Sequence, residues 1–306
     1  MDRLGDVVLR GLCVLAALLA LLALLGIAYE VISGSMLAIE RFGLGFIGHT
    51  TWQPNFKVFG AGVMLFGTVV TSAIAMLLAL PLGIAIALYL AMVAPARLRG
   101  VIGPLVEMLA AIPSVILGFW GILVLAPFLP KHLEPLLHSV LGFLPIFGEP
   151  ATTGASLLTA GLIVTIMVVP IIASISRDLF LTVPQEMKDG AIALGATRWE
   201  MVRGVVLPST ASGVAAAAFL GLGRALGEAI AVAQVIGDGK AISASLFGTG
   251  NTLAAAIATE ILGSESKLDT SSIFYLGVML LVIGLIANLA AQAITRRFDV
   301  HRAAAR

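Results

Sequence analysis

Six stretches of this chain are apolar over about 20 residues or more, the length a helix needs to cross a hydrocarbon layer. They fall at 11–29, 59–93, 101–128, 154–176, 209–236 and 272–294. No soluble core could bury that much apolar surface. The residue balance agrees: 59% of the 306 residues are hydrophobic and 11% are charged, against about 25% charged in a soluble domain. The expected fold class is therefore all-α, a polytopic membrane protein with six transmembrane helices.

The second stretch is long enough to need tilt, and Pro81 and Gly83 interrupt it. Neighbouring helices can satisfy the backbone group that Pro81 frees. The first stretch exceeds the 7–15 apolar residues of a signal peptide, and no convincing small-residue cleavage site follows it, so it reads as a retained span. The lone cysteine, Cys13, excludes an internal disulfide. A net charge of +1 gives no reason to expect a nucleic-acid partner.

Basic residues set the orientation. With the N-terminus inside, twelve fall on the inner side: Arg3, Arg10, Arg97, Arg99, Arg177, Lys188, Arg198, Arg203, Arg296, Arg297, Arg302 and Arg306. Five fall outside, Arg41, Lys57, Lys131, Lys240 and Lys267, and Arg224 falls within a span. Both termini are then cytoplasmic. Three outer connections, at 30–58, 129–153 and 237–271, are rich in Gly, Pro and polar residues and leave no room for a soluble catalytic domain.

One polar island, 184–208, lies between the fourth and fifth stretches on the inner side. Pro184 suits the first turn of a helix. Gln185 to Leu194 can form a short helix, and Gly195 suits the left-handed residue that ends one. Thr197 and Glu200 make a T-x-x-E capping box for a second short helix, and Pro208 marks entry to the fifth span. Ile192, Leu194, Trp199 and Val202 are available as an apolar face. On these features alone, a partner-docking hairpin and an amphipathic loop resting on lipid headgroups are both open.

The island resembles the coupling loop of ABC importer permeases, whose motif is E-A-A, three residues, G, nine residues, then I-x-L-P. Asp189, Gly190 and Ala191 stand at the E-A-A positions, Gly195 at the glycine, and Leu207 and Pro208 at the L-P end. The departures are Asp189, a shorter acid, and Gly190, which weakens a helix by roughly 1 kcal/mol relative to Ala. The resemblance implies that this loop, Trp199 and Glu200 included, grips an ATPase.

Arg224 and Glu228 are four residues apart, on one helical face. Arg224 is fifteen residues beyond Ser209, so about 22 Å along a helix and near mid-bilayer. An arginine there faces a cavity or a partner. It either locks helix packing with Glu228 or offers a planar donor fork to an oxyanion, with Glu228 keeping it from trapping the anion. Glu107 reads as a second intramembrane acid, near enough to the inner headgroups to be solvated or to cap a helix instead. Pro113 and Ser114 either open the helix backbone toward a path or make a simple kink.

The R224-A-L-G-E228 string resembles phosphate-importer permeases. F66-G-T-V-V-T-S72, L80-P-L-G-I-A-I-A-L88, E107-M-L-A-A-I-P-S-V-I-L-G118 and G250-N-T-L-A-A-A-I-A-T-E260 favour their C-type subunit (PstC family). The resemblance covers about 58–295 and implies the type I ABC importer permease fold. Residues 1–57 would supply an N-terminal transmembrane helix and external loop, and 58–306 the permease domain. It also implies a heterodimer with an A-type permease, an ATPase dimer inside and a phosphate-binding protein outside, in a prokaryotic inner or plasma membrane. The path would include Arg224, Glu228, Pro113 and Ser114. The alternatives are a permease for sulfate or molybdate, a gradient-driven secondary carrier, and a largely structural or signalling subunit.

No G-x-x-x-x-G-K-[ST] phosphate loop occurs, so ATP hydrolysis is expected on a separate subunit. His49, His132, His138 and His301 have no metal-ligand spacing. No cofactor or metal is expected.

Overall fold

The first and last long helices run past the apolar stretches that specify them at both ends. The computed structural model describes residues 2–297, with side chains from 5 to 293. His301, Arg302 and Arg306 lie outside the described residues, as do the side chains of Arg3, Arg296 and Arg297. The chain forms α1 (Asp2–Phe42), α2 (Gly62–Leu88, prolonged by a wide π-turn at Tyr89–Val93), α3 (Ala96–Ala110) and α4 (Ser114–Leu141). It continues with α5 (Leu157–Thr182), α6 (Gln185–Ala193), α7 (Arg198–Gly227), α8 (Ile230–Val235), α9 (Leu253–Glu260) and α10 (Lys267–Arg297). Among the described residues six helices, α1, α2, α4, α5, α7 and α10, are long and apolar enough to cross a membrane.

The core is built around α5. Two thirds of its most apolar window (67%) is buried, against 28% or less in the other five. Such a helix is apolar all round because it has neighbours all round. Ile163, Val164, Val168 and Ile172 are fully buried, against Ala75 and Ala79 of α2 and Ala225 of α7. Small residues let the backbones approach. A Cβ built on Gly83 would sit 2.8 Å from Ile172, and one on Gly221 would sit 2.8 Å from Val168.

Three expectations about boundaries are corrected. The stretch 101–128 is not one span: α3 ends at Ala110, Pro113 is extended (φ −57°, ψ 134°), and the membrane helix starts at Ser114 and runs to Leu141. The outer connection expected at 129–153 is correspondingly shorter. The stretch 209–236 is also broken, since α7 begins at Arg198 and stops at Gly227. Finally, 30–58 is not all loop, because α1 continues to Phe42 and stops where Gly43 takes a positive φ of 52°.

The C-terminal end of α1 returns to the body through a second, aromatic core. Tyr275 stacks on Phe46 at 4.4 Å and donates its hydroxyl to the Gly43 carbonyl at 3.0 Å. Trp52 and Phe59 pack edge to face at 4.9 Å beside them. The N-terminal part of α1 is different: its side chains from Val7 to Leu25 are mostly more than half exposed, a surface that suits lipid. The connection between α8 and α9 folds back onto the helices. The Leu253 amide donates to the Thr68 hydroxyl of α2 at 2.9 Å, and Gly67 lets the Asn251 carbonyl pass at close range.

Candidate functional site

The fifth span breaks where its charges lie. α7 stops at Gly227, Glu228 is extended (φ −71°, ψ 119°), and α8 begins at Ile230. Arg224 Nη2 lies 3.2 Å from Glu228 Oε2. The Glu228 side chain is 6% exposed and that of Arg224 is 44% exposed. The carboxylate is thus held in the core while the guanidinium reaches the surface of the chain. The other carboxylate oxygen accepts from the Ala231 amide at 3.4 Å, which caps α8. One acid therefore serves an ion pair and a helix start. Gly223 and Gly227, on either side of Arg224, line a groove of about 920 Å³ between α7 and α10.

The two breaks are brought together. The first turns of α4, which follow Pro113 and Ser114, pack against α8. Gly118 is the contact point: a Cβ there would lie 3.0 Å from the Ala231 backbone and would overlap the Gln234 amide. Ser114 is half-buried and Pro113 is exposed. The kink expected at Pro113 is a complete break, and it sits beside the half-helix that Glu228 caps.

Glu107 is separated from α4 by a break in the helix. The break at 111–113 places it on α3, outside the candidate spans, where it is exposed. It pairs with Arg177, whose Nη2 lies 2.8 Å from Glu107 Oε1 and 2.9 Å from Asp178 Oδ1. The Arg177 side chain crosses α3 at Gly103, 2.7 Å from where a Cβ would stand. This bridge ties α3 to the C-terminal end of α5.

The polar island is a capped hairpin. α6 ends in a Schellman motif: Gly195 has φ +90°, its amide donates to Ile192 O at 2.9 Å, and the Ala196 amide donates to Ala191 O at 3.1 Å. The Thr197–Glu200 capping box is complete. The Glu200 amide donates to the Thr197 hydroxyl at 3.3 Å, and the Thr197 amide donates to Glu200 Oε2 at 2.8 Å. Asp189 accepts from Gln185 one turn earlier at 2.9 Å. Gly190 is exposed with open space around it.

Two details of the hairpin differ from expectation. Val202 is not part of the exposed apolar face. It is buried with Phe180, Met201 and Val206, whereas Ile192, Leu194 and Trp199 are exposed. Nor does Pro208 begin the fifth span, since the helix runs from Arg198 through Leu207 and Pro208. A π-turn at Val202–Val206 precedes the proline, and the hydroxyls of Ser209 and Thr210 bond the Val205 and Val206 carbonyls at 2.7 Å each. These bonds keep the backbone satisfied around the ring.

Sequence reasoning missed several residues. Arg177 was visible only as a basic residue, because its partner is seventy positions away. Glu134 is fully buried in α4, with Oε2 accepting the Ala151 amide at 2.8 Å. It fixes the connection that follows α4. Arg99 Nη2 donates to Ala91 O at 3.2 Å, at the C-terminal end of α2.

A six-helix bundle with a capped hairpin between the fourth and fifth spans is the fold of an ABC importer permease. The chain aligns with a bacterial alginate ABC transporter, solved in complex with an alginate-bound periplasmic protein (TM-score 0.58, 18% identity, 92% of this chain and 94% of that one). It aligns also with the MetNI methionine ABC transporter (TM-score 0.53, 21% identity, 77% and 93%). Residues 79–300 match the model for the binding-protein-dependent transport system inner membrane component, and the chain belongs to that family.

Within the family it groups with the PstC permeases. It is 42% identical to the phosphate transport system permease protein PstC of Mesorhizobium japonicum, covering 98% of this chain and 93% of the relative. It is 36% identical to the Mycobacterium tuberculosis protein PstC 1 (94% and 92%). It is 34% identical to a probable PstC of Methanocaldococcus jannaschii (86% and 85%).

The two glycines of the hairpin give opposite expectations. Gly190→Ala adds helix propensity in open space, about 1 kcal/mol of stabilisation. Gly195→Ala forces a Cβ into the left-handed region and costs about 1 kcal/mol or more. Amide hydrogen exchange over 185–200 is expected to slow by roughly fivefold in the first variant and to quicken by a similar factor in the second. Shifts of the same sign would contradict the assignment of Gly195 as the left-handed turn residue.

Proposed function

We propose that this chain is the membrane permease subunit of an ATP-driven phosphate importer and forms the path for inorganic phosphate. The observation that carries the reading is the likeness to PstC permeases along nearly the whole chain. Family membership brings an ATPase and a binding protein as partners. In the finer reading the permease pairs with an A-type subunit, two ATPase copies dock inside, and a phosphate-binding protein docks outside. Residues 58–306 carry the transport machinery, and 1–57 add a lipid-facing helix and its outer loop. The decisive assay is radiolabelled phosphate uptake by the reconstituted complex, with sulfate as competitor. Equal competition by sulfate would favour the broader oxyanion permease, and uptake without ATP a gradient-driven carrier.

The orientation follows from the basic asymmetry, with both termini and 184–208 in the cytoplasm. In a Cys13→Ser background, single cysteines at Arg97 and Leu262, both exposed, should react with impermeant reagent from opposite sides. Reaction of both from one side would overturn it.

The hairpin is read as the element that couples ATP hydrolysis to transport. Asp189, Gly190, Ala191, Gly195, Trp199, Glu200, Leu207 and Pro208 belong to it. Trp199, 63% exposed, is its aromatic contact for the ATPase. Trp199→Asp should leave the protein inserted but cut uptake per ATP by tenfold or more, since a charge then faces an interface core. Normal coupling in this variant would remove the hairpin from that role.

Arg224 is read as the anion's donor in the path, with Glu228 as its counter-charge and the Pro113–Ser114 break as neighbouring wall. The buried carboxylate and half-exposed guanidinium support this: the fork can turn outward while the acid stays fixed. Arg224→Gln should lower uptake more than tenfold, because it removes the fork and strands a buried charge. Glu228→Gln should lower it by leaving the anion held too long. In the double variant the Gln carbonyl still caps α8 and the two amides can pair. If Arg224 meets phosphate, this variant assembles but stays poorly active. Substantial uptake would mean that the pair serves packing alone.

A further inference from the structure

A lysine on the hairpin is turned inward. Lys188 of α6 is 7% exposed, in a segment whose neighbours Met187 and Asp189 are both exposed. Lysines beside water normally extend their charged end toward it. Here Nζ instead donates to the Phe180 carbonyl of α5 at 3.4 Å. No carboxylate lies within ion-pair distance of it among the described residues. Buried Val183, Met201 and Val202 line the same pocket as Lys188, together with the polar side chains of Arg99, Gln185 and Arg198.

The acceptor explains the inward turn. α5 ends at Thr182, so its last four carbonyls have no helical partner. Thr182 bonds the Leu179 carbonyl at 2.7 Å, and Lys188 takes the next one, Phe180. A cation at a helix C-terminus also meets the negative end of the helix dipole. Arg99 does the same for α2, but it comes from α3. Lys188 comes from the hairpin itself.

α5 then joins the two candidate regions. It is the most buried span. At its N-terminal end the Ser156 amide donates to the Val235 carbonyl, the end of α8, at 3.1 Å. A displacement of the hairpin delivered to Phe180 is passed along α5 to the half-helix that Glu228 caps. We infer that Lys188 is a positioning residue that makes the hairpin and α5 move as one body, so that motion of the docked ATPase reaches the path through α5. This rests on the reading of the hairpin as the coupling element.

The test compares Lys188→Met, Lys188→Arg and Trp199→Asp in the complete complex, reconstituted with its ATPase and binding protein. Phosphate uptake per ATP and the melting midpoint of the solubilised complex are read for each. Methionine keeps an unbranched chain of similar length but donates nothing. Replacing a buried unpaired charge by an apolar chain is neutral or stabilising. A latch therefore predicts a melting midpoint unchanged or raised, with uptake per ATP lowered roughly tenfold, the factor one charge-assisted hydrogen bond sets on a two-state equilibrium. Arginine, still a donor, should restore coupling.

Lys188→Met with normal coupling, beside an uncoupled Trp199→Asp, overturns the latch and leaves the coupling hairpin standing. Normal coupling in both overturns the hairpin reading and the latch with it. A Met variant that melts lower or fails to assemble assigns Lys188 to folding and overturns the proposal, as does an Arg variant no better than Met.

Discussion

Hydrocarbon offers no hydrogen-bond partner, so every backbone group at membrane depth must be satisfied inside the chain. Much of this structure follows from that requirement. Hydroxyls add bonds to the helix ladder: Thr165 donates to Gly161 O at 2.7 Å in α5, and Thr210 donates to Val206 O just after Pro208. Thr68 does two tasks, donating to Met64 O of its own helix and accepting the Leu253 amide of the incoming connection. The break at 228–229 is tolerable because it lies against protein, with Glu228 buried and Ala229 half-buried. At 228–229 a side chain also satisfies the restarted helix.

The same requirement sorts the charges. Arg177, with Glu107 and Asp178, sits at the C-terminal end of α5, where the two acids are half exposed or more. An ion pair so wetted contributes little stability, and its value is positional, since it holds α3 across α5. The Glu228 carboxylate is nearly dry, and a lone buried charge there would be costly. It is retained because the Arg224 guanidinium and the Ala231 amide both need it. Arg224 itself is not dry. The asymmetry of the pair, a fixed acid and a freer base, is what an anion path can use and what a purely structural pair would not require.

What was legible in the sequence depended on how local its cause was. The six spans were readable because hydropathy over about 20 residues is a sum that tolerates error at each position. The hairpin was readable because its caps involve neighbours: Gly195 with 191 and 192, and Thr197 with Glu200. The break before α4 was not readable as a break. Ala110, Ala111 and Ile112 are as apolar as a span, so only Pro113 signalled anything, and a proline inside a membrane helix is commonly absorbed. Pro81 and Pro170 are absorbed in this way. Val202 was misassigned because periodicity gives a face but not which side is covered. The Glu107–Arg177 bridge and the Lys188 bond join residues brought near only by the fold, and a single sequence carries no record of either.

The departure of Gly190 from the family motif can now be weighed. A methyl group at that position would touch nothing in this chain, so the glycine costs helix propensity, about 1 kcal/mol, and no internal contact. The hairpin sets against this a Schellman turn at one end and a complete capping box at the other, the box alone contributing about 1 kcal/mol. α6 is only nine residues long, too short to be stable by propensity. It persists because its ends are tied locally and its Ala191 packs against the buried cluster of Phe180, Met201 and Val206. A hairpin held in this way need not be intrinsically helical to transmit force. It needs fixed ends and a fixed link to the span behind it, and the surface that glycine leaves open faces outward, where a partner would meet it.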